Sequence, residues 1–288
     1  MISVVIPFID QWEFTKRCLE VLAKNTTRET EILLIDNGSN DPCRTKAKEV
    51  VANSNLRINY LYNKQNIGVL KTFEQGLKKT KGDIIFFIHN DVLIHELGWN
   101  ERVEQAFEEN NLGMGGLLGA RGVAPDGGRI GVMSHMLGKE WGKTEVQPAA
   151  AHHGEVMTGV APAVVFDGVG LMFKREALQD IAENTDIFED WRAPHHFYDR
   201  IITLKIVDRG WRAAVIGIQF DHYSGATANS SEKYNDLAKE WCEKHGHPQN
   251  GGWDNTIYWI AEKQWRDEYA HRLDLFVEAD WSLRWRNP

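Results

Sequence analysis

Asp83-Ile84-Ile85-Phe86-Phe87-Ile88-His89-Asn90-Asp91-Val92 sets an unbroken apolar run directly against three polar residues. A run without polar alternation predicts a strand buried on both faces, as in a parallel sheet. Ligands of open α/β sheets bind at the carboxyl ends of the strands. Asp91 therefore stands where a carboxylate can hold a divalent cation against a phosphate. Capping a following helix or turn is the other role open to an Asp at this point.

Outward from this run, strand and helix patterns alternate. Ser3–Ile6, Glu31–Ile35 and Ile58–Leu61 predict strands, while Gln11–Lys24, Pro42–Ala52 and Val69–Lys79 carry helical spacing. The βαβαβαβ order predicts a parallel sheet covered by helices. Right-handed crossovers then bring the strand ends, with Pro7, Asp36 and Asp91, to one rim. Beyond it, Gly113–Gly131 is rich in glycine and Gly138–Gly154 lacks periodicity, which predicts long loops with short strands. Val164–Asp167 and Gly170–Phe173 read as paired strands, Phe197–Arg209 as a helix, and Arg212–Ile218 as a strand leading to Phe220-Asp221-His222. From Ser230 the pattern is mostly helical, broken at Gly246–Gly252.

Composition narrows the function classes. The 288 residues are 42% hydrophobic and 26% charged, ordinary values for a globular chain. A net charge of −8 argues against a broad nucleic-acid footprint, though not against a local basic groove. Cys18, Cys43 and Cys242 form no C-x-x-C pair, so neither a zinc site nor a disulfide framework is indicated. They fit a reducing compartment, and a cytoplasmic location is expected. The N-terminus lacks the pattern of a signal peptide, and no apolar stretch is long enough to span a bilayer. The dinucleotide fingerprint fails because Leu118 follows Gly113-Met114-Gly115 where a glycine belongs. The P-loop also fails, with Leu137 in place of the first glycine before Gly142-Lys143-Thr144.

From Met1 to about Thr227 the chain resembles the family-2 glycosyltransferases with the GT-A fold. The resemblance is carried by Ser3-Val4-Val5-Ile6-Pro7, Asp36-Asn37-Gly38-Ser39-Asn40-Asp41, Asn66-Ile67-Gly68 with Gly76 and Gly82-Asp83, and His89-Asn90-Asp91-Val92. It continues through Phe166-Asp167-Gly168, His196-Phe197-Tyr198-Asp199 and Asp221-His222-Tyr223-Ser224-Gly225. Each piece is a weak signal, and their common order is the strong one. His89-Asn90-Asp91 departs from the usual D-x-D metal motif, leaving Asp91 as the expected ligand on this strand.

The resemblance implies a Rossmann-like α/β fold with a mostly parallel sheet and an inverting, metal-dependent transfer of sugar from a nucleoside diphosphate to a hydroxyl. It divides the chain into a catalytic domain, 1–227, and a helical extension, 228–288. Within the first, 1–112 would bind nucleotide and 113–227 the acceptor, with the stretch from Gly113 to Gly159 on the acceptor side. Asp36 would accept from the nucleotide base, Pro7 and Phe8 would shape its pocket, and Asn37, Asn66, Gly68 and Asn90 would approach the donor. Asp91 and His222 would hold Mn²⁺ or Mg²⁺, and the imidazole favours Mn²⁺. Asp199 would be the general base, with Glu189 and Asp190 as rivals. The expected partners are a nucleotide-sugar donor and a glycan or other hydroxyl acceptor.

Three other readings remain open: a nucleotidyltransferase, an inactive nucleotide-sugar-binding protein, and a glycosyltransferase acting on modified DNA bases. The histidine pairs His152-His153 and His195-His196 read as loop residues. Among the 11 tryptophans, Trp141, Trp191 and Trp211 could offer flat surfaces to sugar rings, with core packing the alternative. Trp253, Trp259, Trp265, Trp281 and Trp285 fit docking of the extension onto the domain; a homodimer contact or a membrane surface are the other options. Their interspersed acids favour docking.

Overall fold

A computed structural model of the chain describes residues 1–54, 56–137, 154–188, 196–223, 232–247 and 253–269. Its first part follows the expected alternation. The parallel strands β1 (Ile2–Phe8), β2 (Thr30–Asp36), β3 (Arg57–Tyr62) and β4 (Ile84–Ile88) are connected by α1 (Trp12–Asn25), α2 (Asp41–Asn53) and α3 (Val69–Lys79). After β5 (Val92–Ile94) and α4 (Trp99–Asn110) come β6 (Leu112–Gly116), β7 (Leu118–Val123) and β8 (Arg129–Ser134). The short strands β9 (Glu155–Val156), β10 (Val160–Pro162) and β11 (Val165–Phe166) precede β12 (Gly170–Lys174), α5 (Arg175–Asn184) and α6 (Tyr198–Asp208). β13 (Arg212–Ile216) and β14 (Phe220–His222) follow.

Eight strands form the central sheet in the order β10-β13-β6-β12-β4-β1-β2-β3. β12 runs antiparallel between β4 and β6, and β10 is an antiparallel edge on β13. The result is a mixed α/β fold whose centre is mostly parallel. Side chains alternate between two cores, as strand geometry requires. Val4, Ile6, Ile32, Leu34 and Phe86 pack with Trp99 and Val103 of α4 on one face. Val5, Leu33, Ile35, Ile85 and Phe87 pack with Phe73, Leu178 and Ile202 of α3, α5 and α6 on the other. Phe73 and Phe87 stack with centroids 3.9 Å apart, and a Cβ on Gly76 would lie 2.6 Å from the Phe87 ring. That glycine lets α3 approach β4 closely.

Two expectations are corrected. Gly113–Gly131 is not mainly loop: it forms β6, β7 and the start of β8. Its glycines make room for large neighbours within strands. A Cβ on Gly113 would lie 2.5 Å from Trp211, and one on Gly116 would lie 2.3 Å from Phe166. The segments read as paired strands do not pair with each other. β11 joins β7 in a four-stranded sheet, β11-β7-β8-β9, while β12 joins the central one. The turn between them hands the chain from sheet to sheet.

Beyond β14, Glu232–Lys244 and Trp253–Tyr269 are helices. Cys242, Ile260, Ala261 and Trp265 share a cluster with Ala120, Val164, Val165, Phe197 and Leu204. Trp265 therefore docks the helix, whereas Trp259 is 51% exposed. Trp211 packs over Gly113 and donates its indole N–H to Asp180, a structural role. Trp141, Trp191, Trp281, Trp285, His152, His153 and His195 lie outside the described residues, as does the side chain of Trp253. Among the described residues, no helix is long and apolar enough to cross a membrane.

Candidate active site

The end of β4 meets β14 through β5. Antiparallel pairing sets His222 opposite Val92, which brings it beside Asp91. The Tyr223 N–H donates to the Asp91 carbonyl at 3.1 Å and holds that register. His222 Nε2 lies 3.4 Å from Asp91 Oδ1. His89 completes the group, and one donor atom from each of His89, Asp91 and His222 lies within 4.8 Å of the others. Burial disfavours charge on Asp91, but the neighbouring His222 and His89 hold its carboxyl below the usual range. Burial likewise works against protonated His222, yet Asp91 raises its affinity for a proton. Burial dominates at His89 and lowers it. Two imidazoles and one carboxylate suit a first-row divalent cation such as Mn²⁺, so the residues fit the expected metal. Asp91 and His222 come together as expected. His89 was read only as a departure from D-x-D, and here it joins the same cluster.

A three-residue turn links this cluster to Asp199. The His89 N–H donates to the Val169 carbonyl at 3.2 Å, and the Gly168 N–H donates to Asp199 Oδ2 at 3.0 Å. Asp199 sits in the first turn of α6, where a carboxylate favours the helix macrodipole. Its Oδ1 accepts from the Arg200 N–H at 2.8 Å and from the Arg200 guanidinium at 3.3 Å. The preceding Tyr198 shares a hydrogen bond of 3.3 Å with His89 Nε2. A Cβ on Gly168 would lie 1.9 Å from that Tyr198 hydroxyl, so the glycine is what lets the phenol reach His89. Phe197, at φ 62°, turns the chain into α6 through the left-handed region. Asp167 pairs with Arg129 of β8, whose guanidinium overrides burial and holds the Asp167 carboxyl well below the usual range. The rivals Glu189 and Asp190 lie outside the described residues.

The remaining candidates cluster at the ends of β1–β3. Register aligns Pro7 with Ile35 and Phe8 with Asp36, and Asp36 with Tyr62. Asp36 is fully buried; the Tyr60 hydroxyl donates to its Oδ2 at 2.5 Å and the Ser39 N–H to its Oδ1 at 2.8 Å. Asn37 donates to Asn66 Oδ1 at 2.7 Å and accepts from Asn63 and from the Ile67 N–H. Gly38 at φ 99° lies against the backbone of Gln65 and Asn66, where a Cβ would approach within 2.9 Å. Gly68, at φ 81°, opens α3. Phe8 packs against Trp12, while Pro7 is half-buried. Asn90 donates to Thr15 of α1 at 3.0 Å, so its side chain is engaged with that helix.

The sequence model of glycosyl transferase family 2 matches residues 3–181. The chain belongs to glycosyl transferase family 2. It thus falls in a family of transferase enzymes, and Asp36, Asn66, His89, Asp91 and Asp167 lie inside the matched span. Asp199 and His222 lie beyond it. "Glycosyltransferase GlyG" of Streptococcus pneumoniae serotype 4 is 27% identical over 33% of this chain and 32% of its own length. The chain spans about a third of the length of the curated relatives it matches. The mannosyltransferase PcManGT from Pyrobaculum calidifontis, solved with GDP-Man and Mn²⁺, superposes with a TM-score of 0.54 at 13% identity, covering 95% of this chain and 70% of that one. Staphylococcus aureus TarS 1–349 with UDP-GlcNAc gives 0.55 at 14% identity, covering 99% of this chain and 78% of that one. At such identities these likenesses establish the GT-A fold.

Family-2 motifs pointed to Asp167, Gly168 and Tyr198 only as members of short segments. Arg129 carried no signal, because it lies 38 residues from Asp167 on a strand of the second sheet.

Proposed function

We propose that the chain transfers a sugar from a nucleoside diphosphate donor to a hydroxyl acceptor, most simply a glycan, with inversion at the anomeric carbon. The observation that carries this reading is the turn of Asp167, Gly168 and Val169, which ties the His89–Asp91–His222 cluster to Asp199 by two backbone hydrogen bonds. A structural neighbour supports the cofactor: PcManGT was solved with GDP-Man and Mn²⁺. His89, Asp91 and His222 would hold the cation, which when bound supplies Lewis-acid stabilisation of the leaving diphosphate.

In this reading residues 1–112 bind the nucleotide at the rim of β1–β3. Pro7 and Phe8 wall the base, and the amide network of Asn37 and Asn66 keeps the rim rigid before the donor arrives. Asp36 reads the base once the Tyr60 hydroxyl releases its carboxylate. Residues 113–227 face the acceptor. Asp199 takes the proton of the acceptor hydroxyl as that oxygen bonds to the anomeric carbon. The bond from that carbon to the diphosphate breaks, and the diphosphate leaves with the electron pair. The Gly168 amide and Arg200 hold the carboxylate of Asp199 in one orientation for this step. The helices Glu232–Lys244 and Trp253–Tyr269 brace the acceptor half through Cys242, Ile260 and Trp265.

The test is a donor screen with purified chain, nucleoside diphosphate sugars, and Mn²⁺ or chelator, following release of nucleoside diphosphate. Metal-dependent release from one donor, lost in Asp91→Ala and Asp199→Ala, is the expected result. Absence of both release and nucleotide binding across the panel would overturn the reading.

A further inference from the structure

We propose that Tyr258, on the Trp253–Tyr269 helix, forms the stacking face of an acceptor subsite for a sugar ring. The inference rests on the reading of the site as sugar-transferring and adds the side chain that would seat its acceptor. Tyr258 is 44% exposed although its helix is firmly docked: Ile260, Ala261 and Trp265 beside it are 3%, 3% and 1% exposed. Its ring contacts Phe197 at 5.5 Å and His196 at 5.2 Å, both edge-on. Those residues lead directly into Tyr198 and Asp199, so the aromatic touches the stretch of chain that leads into the proposed base.

Polar groups complete the surface. Arg129 lies within electrostatic range of both Tyr258 and Asp199, and its ion pair with Asp167 keeps 25% and 27% of the two side chains exposed. An exposed aromatic with a partly exposed guanidinium–carboxylate pair within electrostatic range is the chemistry that recognises a pyranose. The ring takes the apolar C–H face, and the charged pair takes hydroxyls at the edge. A solvent-facing tyrosine without such neighbours would be unremarkable. Trp259, the adjacent exposed aromatic, has no described contact with Phe197 or His196 and serves as the control.

The experiment is saturation-transfer NMR on the full chain with UDP or GDP and Mg²⁺, which avoids paramagnetic broadening. The probes are the methyl glycosides of glucose, galactose, mannose and N-acetylglucosamine. At least one glycoside is expected to show saturation on its ring C–H protons. Tyr258→Ala should raise its Kd by about tenfold, while Tyr258→Phe and Trp259→Ala stay near wild type. Circular dichroism checks that the variants are folded. Binding of nucleotide without any glycoside would overturn this inference and leave the donor reading standing. Equal affinity in wild type and Tyr258→Ala would overturn it as well. Failure to bind either nucleotide or glycoside would remove both.

Discussion

Gly168 shows how much chemistry one missing side chain permits. Its amide orients Asp199, and its bare Cα leaves the path by which Tyr198 reaches His89. Gly168→Ala should force the phenol aside, costing about 1–3 kcal/mol of stability by overpacking, measured by urea denaturation. Tyr198→Phe keeps the packing and removes only the hydroxyl. It should weaken Mn²⁺ binding about 10- to 100-fold, read by electron paramagnetic resonance of the free ion, because partners that orient a metal-binding histidine contribute on that scale. Asp199→Asn should lower turnover about 10²- to 10⁴-fold with nucleotide binding retained, the usual worth of a positioned base. Asp91 was legible as a candidate because it closes an apolar run. His89 was not, since the residue type expected there was acidic and only the approach of β14 reveals its partners.

Among the elements, the start of the sheet depends on a buried carboxylate. Glu31 of β2 accepts from the Ser3 hydroxyl of β1 at 2.6 Å and from the Lys81 and Gly82 amides that lead into β4. Burial opposes its charge, but these donors hold its carboxyl below the usual range. A depressed folded value contributes stability that is present above the unfolded pKa of about 4.3 and is lost as pH falls through the folded one. Wild type should therefore exceed Glu31→Gln in urea midpoint by a constant margin from pH 7 to about pH 5, and the margin should shrink below about pH 4. A margin independent of pH down to acid unfolding would contradict this. The strands β1 to β4 were legible because each is a short apolar run. β6 was hidden because glycine at 113, 115 and 116 reads as loop, and only the rings of Trp211, Phe107 and Phe166 explain it.

For the molecule as a whole, the C-terminal helices complete a core. Trp265, Ile260 and Cys242 cover Val164, Val165, Phe197 and Leu204. A chain ended at residue 231 should expose that cluster, lower the thermal midpoint and bind a hydrophobic dye; an unchanged midpoint would show the helices to be passengers. The same docking places Tyr258 against Phe197 and His196, so the shortened chain should also lose the glycoside binding inferred above.

By itself the sequence determined the parallel βαβ half, the rim at its strand ends, and the family through motifs in a shared order. These are local signals: apolar runs, turn residues and spacing within one segment. Tertiary structure alone decided which chemistry-bearing side chains meet. His89 with His222, Gly168 with Asp199, Arg129 with Asp167, and Tyr258 with Phe197 are brought together from separate strands, turns and helices. Such contacts depend on strand order and helix docking, which arise from packing two cores against one twisted sheet, and no local pattern encodes them.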